Sequence, residues 1–229
     1  MRRFLLPLLL CLLLTVSCQS GGDVSYSAKE RQKALLTLSE DILSNLSRDA
    51  HLSAEDLSSA LSPVHTAYSE YVPLYQEISA SYLEELAGIL DPLVLEAVPI
   101  LAEAAEEVIK APPEEVFLAD SGLTSQVGSI CRRELVSFYR ERLSGMEAEL
   151  SSAYSTPERE FLLIRASYLN LSRVGGRFYL PYPKPCGLDD IAEAMASFLL
   201  ERIAEEESRL KNLPPESADS PYMVFWSYA

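Results

Sequence analysis

The sequence predicts an all-α fold: a single multi-helix, bundle-like domain whose helices are kinked by prolines. Apolar residues recur at three- and four-residue steps over most of the 229 positions, the period of one helix face. Only 9 glycines are present, and no two alternating apolar segments flank a hairpin turn, so neither a β-sandwich nor a hairpin sheet is encoded. Hydrophobic residues make up 48%, enough for a real core and too many for a disordered chain. The net charge is −15. A surface so acidic repels phosphate backbones, which argues against sequence-independent nucleic-acid binding, and no nucleic-acid partner is expected.

The first element is a leader, residues 1–17. Arg2 and Arg3 are followed by an apolar run from Phe4 to Val16. That run is too short to span a hydrocarbon core of about 30 Å, and a positive start before a short apolar stretch marks a signal peptide. It ends in Leu14-Thr15-Val16-Ser17-Cys18, followed by Gln19-Ser20-Gly21-Gly22. This resembles a bacterial lipoprotein signal: a small residue before the cysteine, then a polar Gly/Ser tether. The resemblance implies cleavage before Cys18, lipidation of its thiol and membrane attachment through acyl chains, each buried CH₂ contributing about 0.8 kcal/mol. Residues 18–27 are then the lipidated N-terminus and flexible tether, and 28–229 the helical domain.

Within that domain, Leu35, Leu38, Ile42 and Leu46 form the first apolar stripe. Ser53, with Glu55 and Asp56 behind it, reads as the cap of a second helix. Pro63, Pro73, Pro92 and Pro99 punctuate the next stretch and predict short or bent helices. Leu123–Ser152 is predicted as one helix on the stripe Val127, Ile130, Leu135, Phe138, Leu143 and Leu150. Thr156-Pro157-Glu158 predicts the start of another, through Phe161, Ile164, Tyr168 and Leu171 to Gly175-Gly176. The last long helix begins near Asp189, carries Ile191, Met195, Phe198, Leu199, Ile203 and Leu210, and stops at Pro214-Pro215. The terminal run Tyr222–Tyr228, with no strand to pair with, is expected to dock into a groove between helices.

Several stretches in order carry a family resemblance. They are Val72-Pro73-Leu74-Tyr75, Glu96-Ala97-Val98-Pro99, Cys131-Arg132-Arg133-Glu134-Leu135, and Leu188-Asp189-Asp190 through Ala204-Glu205-Glu206-Glu207 and Asn212 to Phe225. From about residue 71 to Trp226 the chain resembles the exported, all-helical bacterial proteins of domain-of-unknown-function (DUF) family 4197. The resemblance implies a helical exported protein and brings no catalytic residues with it.

Candidate sites are few. His51 and His65 stand fourteen residues apart without a ligand pattern, so no metal and no cofactor are expected. The runs Glu84-Glu85, Glu106-Glu107 and Glu205-Glu206-Glu207 are read as solvated helix faces, with paired-carboxylate hydrolysis the least favoured reading. Cys131 and Cys186 remain once Cys18 is lipidated. Two thiols in an exported chain suggest a disulfide between the central helix and the loop before the last one, with two unpaired thiols the equal alternative. Phe178, Tyr179, Leu180 and Tyr182, set among prolines, form the candidate binding loop, the alternative being an apolar strap over helix ends. The expected function is that of a lipid-anchored protein facing the periplasm or exterior, with a binding or envelope-structural role. Its expected partners are the membrane, through Cys18, and an envelope protein or apolar ligand. The alternative is a carrier enclosing an apolar ligand between its helices.

Overall fold

The computed structural model describes residues 26–61, 73–175, 185–217 and 219–228. Among these the regular structure is helical and contains no strand, so the fold is all-α.

Helix α1 (Ala28–Asp49) begins at a capping box: Ser27 N–H donates to the Glu30 carboxylate at 2.8 Å, and Glu30 N–H donates back to Ser27 Oγ at 3.3 Å. Two backbone donors at the helix start are thereby satisfied reciprocally. Its buried face is the predicted stripe, Leu35, Leu38, Ile42 and Leu46, with Ala34 added. Helix α2 (Ala54–Ala60) starts at the expected cap, Ser53, which forms a second box with Asp56. Leu52 N–H donates to Asp91 at 2.7 Å, tying the α1–α2 link to the next helix.

That helix, α3 (Pro73–Val94), has Pro73 as its first residue and Pro92 near its end. A 3₁₀ turn (Leu95–Ala97) follows, then α4 (Val98–Lys110) with Pro99 in its first turn. Pro92 and Pro99 thus bracket a break, as a missing N–H and a fixed φ dictate. Pro63 lies outside the described residues. Tyr139 Oη donates to the Val94 carbonyl at the break, 3.0 Å away, and is itself fully buried.

Helix α5 (Glu115–Leu118) is a single turn, followed by α6 (Gly122–Ser144), α7 (Glu147–Gly175), α8 (Leu188–Asn212) and α9 (Met223–Trp226). One expectation is corrected here. The break between the central helices falls at Gly145-Met146, where Gly145 N–H caps the Arg142 carbonyl and Met146 N–H the Leu143 carbonyl. Pro157 does not start a helix; it lies inside α7. Leu150, Ala153, Tyr154, Pro157 and Phe161 are all buried, and their three- and four-residue steps carry one face straight through the proline.

Helix α8 packs against α6 and α1, α4 against α6 and α1, and α3 against α7 and α2. The buried interior draws on Leu35 and Leu38 of α1, Leu86 and Leu90 of α3, Leu101 of α4, Leu135 of α6 and Met195 and Leu199 of α8. No helix among the described residues is long and apolar enough to cross a membrane.

Candidate functional site

On α8, Ile191, Met195, Leu199 and Ile203 step by four residues along the buried face. Continuing that step reaches Glu207 and Lys211, and both are buried, Glu207 completely and Lys211 to 7% exposure. Glu207 is therefore not part of a solvated face, as its acidic run suggested, whereas Glu84, Glu85, Glu106, Glu107 and Glu205 are exposed. Lys211 Nζ lies 2.6 Å from Glu207 Oε1.

Every polar atom of this pair is engaged. The Glu207 carboxylate accepts the backbone N–H groups of Leu123 and Thr124 at 2.8 and 2.7 Å, and the Thr124 hydroxyl at 2.7 Å. Ser121 supplies no side-chain cap to α6, so Glu207 caps that N-terminus from another helix, where the dipole favours an anion. Lys211 Nζ donates in addition to the Val116 and Ala119 carbonyls at 2.7 and 2.8 Å, which fills its three donor positions. The pair fastens α5, α6 and α8 to one another.

The C-terminal segment closes over this knot, in the groove expected for it. Phe225 and Tyr228 stack on Phe117 of α5 with ring centroids 6.0 and 5.7 Å apart. Lys211 Nζ lies 5.2 Å from the Phe225 ring centroid. Tyr222 Oη donates to Asp41 at 2.7 Å; burial, then the Asp41 hydrogen bond and charge, push this phenol well above its ordinary range. Trp226 Nε1 donates to the Lys211 and Leu213 carbonyls, both at 3.1 Å.

Cys131 is buried on α6, Cys186 is half-buried just before α8, and both thiols are free. The bridge considered from sequence is thus not formed: Cys131 belongs to the core, while Cys186 packs by Tyr82 of α3, its N–H donating to Tyr82 Oη at 3.3 Å. Burial pushes the Cys186 thiol up to about 11, the Tyr82 hydrogen bond opposing and the Asp190 charge adding. Burial also raises Cys131. His51 is exposed, with Nδ1 3.5 Å from Asp91. Among the described residues no group of His, Cys, Asp and Glu is arranged to hold a metal.

A surface cleft of about 310 Å³ lies between α1 and α8, lined by Asn45, Asp49, Arg202, Glu205, Glu206 and Arg209. Its charges answer one another: Arg209 Nε donates to Glu206 at 2.7 Å, Asn45 to Glu206 at 2.6 Å, and Arg202 to Glu205 at 2.9 Å. The Arg209 hydrogen bond holds the Glu206 carboxyl below its usual range. An apolar void between α1, α4, α6 and α8, lined by Ile42, Leu101, Val127 and Ile203, measures about 20 Å³, space for about one water molecule. That void does not take an apolar ligand. Cys18, His65 and the loop residues Phe178, Tyr179, Leu180 and Tyr182 lie outside the described residues.

No family model matches the chain, and neither the curated proteins nor the solved structures give a match.

Proposed function

We propose that the chain is an exported, lipid-anchored helical protein of a bacterial envelope with a binding or structural role and no catalysis. The observation that carries this is the leader: Arg2-Arg3, the apolar run to Val16, and Ser17-Cys18 before a polar tether. Two further features support it. The first helix has its own start, the Ser27–Glu30 capping box, placed after the expected tether. The domain's buried acid and base, Glu207 and Lys211, are bonded to helix ends.

The test is Cys18→Ser in cells fed a labelled fatty acid. The wild-type chain is expected to carry label and sediment with membranes, and the variant to lose both. A variant that still sediments with membranes rejects the anchor. For the binding role, in-cell crosslinking of the wild-type chain is expected to give a discrete larger species that Cys18→Ser fails to form.

A further inference from the structure

Three of the exposed large apolar side chains sit on separate segments: Leu118 (60% exposed) on α5, Leu213 (46%) just after α8, and Trp226 (44%) on α9. Scattered singly, such residues mean little; gathered, they mark a contact surface. The contacts gather them. Trp226 Nε1 donates to the Leu213 carbonyl at 3.1 Å. Its neighbour Phe225 stacks on Phe117, the residue before Leu118.

The start of α1 lies at the same corner. The Arg31 guanidinium stands 5.8 Å from the Phe117 ring centroid. Gln32 Nε2 donates to the Ile109 and Lys110 carbonyls at 3.3 Å, at the C-terminus of α4. Chain leading from Cys18 therefore joins the domain beside the apolar cluster.

The covalent reach of that chain decides which end of the domain meets the bilayer. Eight residue steps separate Cys18 from Tyr26, and at most about 3.6 Å per step gives a limit of about 29 Å. Helix α1 has 22 residues, about 33 Å at 1.5 Å each. Inverting the domain on this tether leaves its far end, at His51, short of the surface. The near end reaches it easily.

We propose that the corner formed by Leu118, Leu213 and Trp226 is a membrane-contact surface that lies in the headgroup layer of the bilayer holding the anchor; this rests on the lipid-anchored reading of Cys18. The indole suits it. Its N–H is already bonded within the protein, so the ring enters the interface without stranding a donor. Among the exposed charges near these segments, acids such as Glu30, Glu114, Glu216 and Asp219 outnumber Lys29, Lys33 and Lys110, which fits zwitterionic rather than anionic headgroups.

Trp226 is the one tryptophan of the chain, so its emission reports on this corner alone. The full-length chain purified from membranes is reconstituted into phosphatidylcholine vesicles with brominated acyl chains and floated on a density gradient. Trp226 emission is expected to fall roughly twofold against unbrominated vesicles, since interfacial indoles lie within reach of acyl bromines. The double variant Trp226→Phe/His51→Trp, with its probe at the far end, is expected to keep its emission. A chain that floats with Trp226 unquenched, or with both probes quenched equally, overturns the contact surface and leaves the anchor standing. A chain that does not float overturns both.

Discussion

Lys211 neutralises a carboxylate that has no access to water, and the consequence is asymmetric. Removing the ammonium strands a buried charge, whereas an exposed pair is worth little. Lys211→Met is therefore expected to lower unfolding free energy by about 3–5 kcal/mol, read from urea denaturation. Arg132→Ala breaks an exposed bond to Glu193 at 3.2 Å and is expected to change it by no more than about 0.5 kcal/mol. Cys186 gives a second test. Its pKa of about 11 lies above the reference 9.0, so in alkali the folded chain holds this proton while the unfolded chain loses it. The stabilisation is complete below pH 9 and is lost as pH rises through about 11. A Cys186→Ser variant is expected to show a shallower alkaline fall in denaturation midpoint. At pH 8 the native thiol is expected to react with a disulfide reagent at least about tenfold more slowly than in the unfolded chain.

Between elements, close approach matters more than propensity at one glycine. A Cβ on Gly122 falls on the Glu115 carbonyl oxygen and 2.8 Å from Val116 Cα, where α5 abuts α6. Gly122→Ala is therefore expected to destabilise by about 1–3 kcal/mol, from a clash with backbone that cannot turn aside. Gly88, exposed within α3, meets nothing within 4 Å, so Gly88→Ala is expected to stabilise by up to about 1 kcal/mol. Thermal unfolding of the two variants beside the wild type separates these signs. The helix boundaries show where sequence signals suffice. Ser53 was readable because a cap is a local bond between residues three apart, and Ser27, assigned to the tether, carries the same local signal with Glu30. Pro157 misled because Thr-Pro-Glu is equally local, while a continuous buried face from Leu150 to Phe161 overrides it. Glu207 was hidden inside an acidic run. The signal that exposes it is the step of four from Ile191 through Ile203, which lands on Glu207 and Lys211, two opposite charges one turn apart.

At the scale of the molecule, the all-α class was legible because helical periodicity is repeated in every segment. What closes the structure was only partly so, since the partners of the terminal segment lie far away in sequence: Asp41 for Tyr222, Phe117 for Phe225 and Tyr228. Apolar character told that this tail docks, and nothing local told where. Its docking makes it part of the fold. Val224 and Phe225 are 3% and 4% exposed, and burying a side chain of that size contributes about 1.5–3 kcal/mol. A chain ending at Asp219 is expected to lose about 3–6 kcal/mol, a large share of a typical total of about 5–15. The same truncation uncovers Phe117 and the apolar side of Lys211, so a hydrophobic dye is expected to bind the shortened chain before its unfolding transition. Trp226→Ala, which leaves Val224 and Phe225 in place, is expected to lower the midpoint much less. If the truncated chain instead keeps the wild-type midpoint and binds no dye, the tail is a strap laid on a finished domain. The Glu207–Lys211 knot then holds α5, α6 and α8 without it.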